Sequence, residues 1–130
     1  MGAWGAGSFE NDDAADWVSA LEEADGSKFL AKTLKRAVGD GELDAETAAC
    51  AVAAAEVVAG LKQAPRASLP VEVEDWIAAH VGRHEKDLSS LALEALDRVR
   101  HDSELQDLWE EQGPQDWSAA LDDLEERLRR

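Results

Sequence analysis

The stretch Asp44-Ala-Glu-Thr-Ala-Ala-Cys-Ala-Val-Ala-Ala-Ala-Glu-Val-Val-Ala-Gly-Leu-Lys62 decides the fold. It is apolar almost all round, and most of its side chains are small. Such a run reads as a helix over about residues 44–62, buried at the centre of a domain. Its alanines would let neighbouring helices approach closely. Glu56 interrupts the longest apolar run, which extends from Ala48 to Leu61 and is too short to span a bilayer. Glu56 is expected on one exposed strip of the helix. If buried, it needs a raised pKa or a base such as Lys35 or Arg98, which makes it the foremost candidate for unusual protonation chemistry. Cys50 is the only cysteine. It cannot form an internal disulfide, Cys-based metal motifs are excluded, and a buried, inert thiol is expected.

Working outward, helical periodicity continues on both sides. Upstream, Asn11, Asp12 and Asp13 offer N-cap oxygens to a helix with Trp17, Leu21 and Ala24 on one face. Asp25-Gly26-Ser27 ends it and caps a second helix, with Leu30, Leu34, Ala37 and Val38 as its stripe. Gly39-Asp40-Gly41 turns into the alanine-rich third helix. Downstream, Pro65 to Pro70 connects to a fourth helix, about Val71 to Val81, carrying Val73, Trp76, Ile77 and His80 on one face. Gly82 interrupts it. A fifth, about Glu85 to His101, presents Leu88, Leu91, Ala92, Ala95, Leu96 and Val99. Asp102 or Ser103 caps a sixth through Leu105, Leu108 and Trp109. Gly113-Pro114 breaks it and opens a seventh, with Trp117, Leu121, Leu124 and Leu128. No segment alternates convincingly as a strand. The expected fold is a single all-α domain over 1–130: a compact bundle of six to seven helices around the central Ala-rich helix, preceded by an irregular Gly/Trp segment.

With 130 residues and 45% apolar content, the chain can bury a core without disulfide or metal. It has no Tyr and two Phe, so Trp4, Trp17, Trp76, Trp109 and Trp117 carry most of the aromatic volume and are expected core anchors. Twenty-nine acids against 13 bases leave a net charge of −16, which disfavours nucleic acid and anionic membranes as partners. Lys28, Lys32, Lys35 and Arg36 follow one helix face, a solvated surface before it is an anion site. No secretory signal is apparent, and Ala6 stands where a myristoylation motif wants Ser or Thr. A cytoplasmic location follows by elimination.

The first residues are the most distinctive. Gly2, Trp4, Gly5, Gly7, Phe9, Asn11, Asp12, Ala15, Asp16 and Trp17 resemble the start of a bacterial family catalogued as domain of unknown function 4259. The resemblance implies a bacterial origin and supplies no reaction, cofactor or catalytic residue. The glycines lack both the dinucleotide fingerprint and the phosphate-binding loop. They are better read as a loop folding Trp4 and Phe9 back into the core; an exposed Trp4 would instead make the segment a binding element. The dipeptide Asp-Trp recurs at 16–17, 75–76 and 116–117, which is read as helix-start chemistry, each Asp lying in a first turn.

The remaining chemistry is sparse. Asn11, Asp12, Asp13 and Asp16 could offer oxygens to a hard cation, but capping accounts for them. His80 and His84 have the spacing of two zinc ligands, yet Val81 replaces the Glu of a metalloprotease motif and a core histidine explains His80 as well. No serine lies in a nucleophile elbow. Acid–base pairs such as Asp123 with Arg127 read as helix-surface pairs. No catalytic set and no cofactor emerge. The expected role is a non-enzymatic interaction module with a basic protein partner: an inhibitor, an immunity-type protein or a regulatory adaptor. The alternatives are a metal-dependent enzyme using His80 and His84 or the Asn11–Asp16 cluster, and a structural or self-assembling module.

Overall fold

A computed structural model describes residues 9, 11–24, 27–39, 42–62, 69–80, 87–113 and 115–129. Among them are seven helices and no strand: α1 (Asp12–Glu22), α2 (Ser27–Val38), α3 (Ala45–Leu61), α4 (Val71–His80), α5 (Ser89–His101), α6 (Glu104–Gln112) and α7 (Gln115–Arg129). The all-α bundle is as the periodicity predicts.

The alanine-rich helix α3 is the hub, packing against all six other helices. Every residue from Ala51 to Gly60 is buried, so over that stretch no face of α3 is left for solvent. Small side chains allow this, because six neighbours cannot approach one helix studded with leucines. The tightest approach is at Gly60, where a Cβ would overlap Ile77 Cδ1 of α4. Asp44 starts α3, its side chain accepting from Thr47 N at 2.7 Å.

Caps follow the local chemistry. Asn11 accepts from Ala14 N at 2.7 Å and opens α1. Ser103 accepts from Gln106 N at 3.1 Å and donates to Val99 O at 2.6 Å, so one hydroxyl ends α5 and begins α6. Helix α5 starts at Ser89 rather than near Glu85. Asp87 draws in both the amide and the hydroxyl of Ser89, at 2.9 and 2.6 Å; Gly82, His84 and Glu85 lie outside the described residues. Gly113, at φ +107°, takes a left-handed backbone suited to glycine and closes α6.

Buried tryptophans satisfy their indole N–H groups across helices. Trp17 donates to Thr33 Oγ1 at 3.0 Å and stacks on Phe29, and Trp76 donates to Ala24 O at 3.1 Å. Trp117 is also buried. Two corrections concern the aromatic residues. Trp109 is half-buried, lying nearly parallel to Trp117 at 6.5 Å between centroids, because short α6 reaches only the edge of the core. Asp16 and Asp75 occupy the second turns of α1 and α4; of the three Asp-Trp pairs, only Asp116 lies in a first turn.

Candidate functional site

Within the signature segment, Phe9 is 7% exposed and belongs to the core. Asn11 commits its oxygen to the α1 cap, Asp12 and Asp16 face solvent, and Trp17 is buried. Of the two expected plug residues, Phe9 is therefore in the core. Trp4, Gly5 and Gly7, which complete the expected plug, lie outside the described residues, as does Gly2. The structure thus separates the signature's polar side chains, which cap or face water, from its aromatic ones.

His80 is a core histidine. Its Nδ1 lies 2.8 Å from Trp76 O, so Nδ1 carries the proton and donates, and the ring stacks on Trp76 at 3.8 Å. Its Nε2 is buried with no hydrogen-bond partner among the described residues. His84, its expected zinc-spacing mate, is outside the described residues. Among the described residues, no three of His, Cys, Asp and Glu are grouped to hold a metal ion. Cys50 is half-buried, and its Sγ faces Asp13 O at 3.9 Å. Burial, reinforced by Asp13 and Glu46, pushes the thiol up to about 11, so at neutral pH it is protonated and a poor nucleophile.

Glu56 departs from its expected place. It is 1% exposed, and it is gripped by Arg127, itself 5% exposed and a base that the sequence reading does not name for it. The guanidinium grips the carboxylate through both terminal nitrogens, Nη1 on Oε1 and Nη2 on Oε2, while its Nε donates to Asp123 Oδ2 at 2.9 Å. The expected Asp123–Arg127 pair forms, but the arginine turns inward. Burial works against the guanidinium charge, yet the bonds to Glu56 and Asp123 outweigh it and raise its pKa above the ordinary arginine value. A signal for this pair existed. Arg127 lies on the same helical face as Trp117, Leu121, Leu124 and Leu128, an unusual place for a cation unless a buried acid awaits it. Arg98 instead closes the end of α2, donating to Ala37 O at 3.2 Å and to Gly39 O.

The surface offers two opposed features. Helix α6 has no base, and Leu105, Leu108 and Trp109 all stay half-buried among exposed Asp107, Glu110 and Glu111. At its N-terminal end, Glu42, Asp102, Glu104 and Asp107 border a recess of about 200 Å³, with His101 on its wall. The first turn of α6 is held firmly there: Glu104 N donates to Leu43 O at 2.9 Å, and Ala45 N donates to Glu104 Oε1 at 3.1 Å. On α2, Lys28, Lys32, Lys35 and Arg36 are exposed around an open depression of about 540 Å³ with Ala31 between them. None of the described helices is long and apolar enough to cross a membrane.

No curated protein and no solved structure matches the chain. One family model, described as a domain of unknown function (DUF4259), matches residues 2–120, from the glycine–tryptophan start through α6 and into α7. Arg127, which neutralises the buried acid of α3, lies beyond that match. With the signature, the central helix and its neighbours all inside the matched span, the chain belongs to the DUF4259 family.

Proposed function

We propose that the protein is a non-enzymatic interaction module whose α6 face docks a basic protein partner. The observation carrying this reading is the state of α6. Asp107, Glu110 and Glu111 make no ion pair among the described residues, and they surround three large apolar side chains that the core leaves half-covered. Acids beside a half-exposed tryptophan suit arginine or lysine, which can meet a carboxylate and lie on the ring together. The acidic recess beside Asp107 has room for the end of one such side chain. Inhibitors, immunity-type proteins and regulatory adaptors all work through surfaces of this kind, and a cytoplasmic setting suits a lone, unpaired thiol.

The test is capture from a cell lysate at low and moderate salt, with wild-type protein and with the double variant D107K/E111K. Both positions are exposed, so the fold should survive. The wild type should retain a specific basic partner at moderate salt, and the variant should release it. No specific capture at either salt, or equal capture by the variant, would refute the reading.

A further inference from the structure

The described cations divide into two groups. Away from α2 they are engaged: Arg100 holds Asp122 and Glu125, Arg127 holds Glu56 and Asp123, Arg98 and Arg129 reach Asp102 and Glu125, and Lys62 donates to Leu128 O. On α2, Lys28, Lys32, Lys35 and Arg36 are all exposed and make no ion pair among the described residues. In a chain with 29 acids and 13 bases, four adjacent cations with no ion pair among the described residues form a distinct surface.

That surface has a counterpart on the same molecule. Along α2, Lys28, Ala31, Lys32 and Lys35 stand at i, i+3, i+4 and i+7; along α6, Glu104, Asp107, Leu108 and Glu111 stand at the same intervals. Each stripe consists of three exposed charges around one half-buried apolar residue, with opposite signs. The two do not pair within one molecule. Resting on the reading of α6 as a docking face for basic side chains, we propose that this face also receives the basic α2 stripe of a second copy of this chain. Each contact uses different surfaces on the two copies, so association is head-to-tail.

Nucleic acid fits α2 less well. The stripe is roughly 10 Å long, and a polyanion running past it would meet the surrounding acids of a −16 molecule. A short acidic helix is the matching shape. Contact between two short helices falls below the roughly 1,000 Å² of stable interfaces, so the association is weak and its salt dependence is distinctive. At about 0.01 M salt, screening reaches only beyond ~30 Å and the two −16 chains repel as wholes. At about 0.1 M the range is ~10 Å, and the paired stripes prevail. At about 1 M it is ~3 Å, and the pairs themselves weaken. Association should peak near the middle condition.

Sedimentation velocity on the full chain at about 1 mM, where contacts of this strength become populated, tests the proposal. Wild-type protein should sediment faster at about 0.1 M salt than at either extreme. K32E/K35E alone and D107K/E111K alone should each remain monomeric, because each opposes like charges. Their equimolar mixture should associate again, since the reversed stripes complement one another between variants. Circular dichroism of each variant should match wild type. A monomeric wild type, variants that still associate, or a mixture no heavier than its components would overturn the proposal. Failure of the docking reading itself shows separately, as D107K/E111K leaving capture of a basic protein unchanged.

Discussion

Glu56 and Arg127 are the costliest residues to disturb. Removing one member of a buried ion pair strands the other charge in the core, at about 3–5 kcal/mol, whereas replacing both with apolar groups is often neutral. Arg127→Ala should therefore lower stability in urea denaturation by that amount, and the double replacement E56L/R127L should recover most of it. Equal losses in the single and double variants would show that packing, not stranded charge, sets the penalty. At Asp44, the hydrogen bonds from Thr47 hold the carboxyl below its ordinary value of 3.8. A carboxylate held down in this way stabilises the fold above 3.8, and the contribution fades as pH falls below it. Asp44→Ala should cost about 0.5–2 kcal/mol at pH 7, as for other N-caps. Asp44→Asn should keep the cap and flatten part of the stability loss in acid. Parallel acid titrations of wild type and D44N would miss this difference only if the cap bond were immaterial.

At the scale of elements, α3 works because it is narrow. An ordinary mid-helix glycine gains about 0.5–1 kcal/mol when changed to alanine, but at Gly60 any side chain meets Ile77. Gly60→Val should cost about 1–3 kcal/mol, the usual penalty of overpacking, and G60V/I77A should relieve part of it in a double-mutant cycle. Helix α6 is the opposite case. It is fastened through Ser103 and Glu104 at its first turn and only edges the core afterwards. The sequence shows α6 as amphipathic, with Leu105, Leu108 and Trp109 on one side. What it does not show is that α3 and α5 leave that side half-covered, since the stripe looks the same whether a neighbour covers it fully or in part.

For the whole molecule, the net charge of −16 weighs against the compact state through self-repulsion. Surface pairs such as Arg98 with Asp102 or Arg129 with Glu125 each contribute about 0–1 kcal/mol and are themselves screened. The buried Glu56–Arg127 pair is screened little. General repulsion should dominate, so raising salt from about 0.01 to 0.15 M should raise the thermal midpoint. A midpoint that falls instead would place more stability in surface pairs than their exposure allows.

The sequence by itself determined the helices and the hub, though not where α5 starts. Asn11, Asp44, Ser103 and Gly113 act on their own neighbours, and the apolar run Ala48–Leu61, broken only by Glu56, points to a helix buried on nearly every side. The family was legible in the glycines, tryptophans and Asn-Asp of the first 17 residues. Only the tertiary structure decided what depends on residues far apart. Glu56 meets a cation 71 positions away, Gly60 meets Ile77 on the next helix, and Trp109 rests on Trp117 at the surface rather than inside. Periodicity tells which residues share a face, because backbone geometry sets it locally. Which face meets which, and how completely, is settled by packing all seven helices at once.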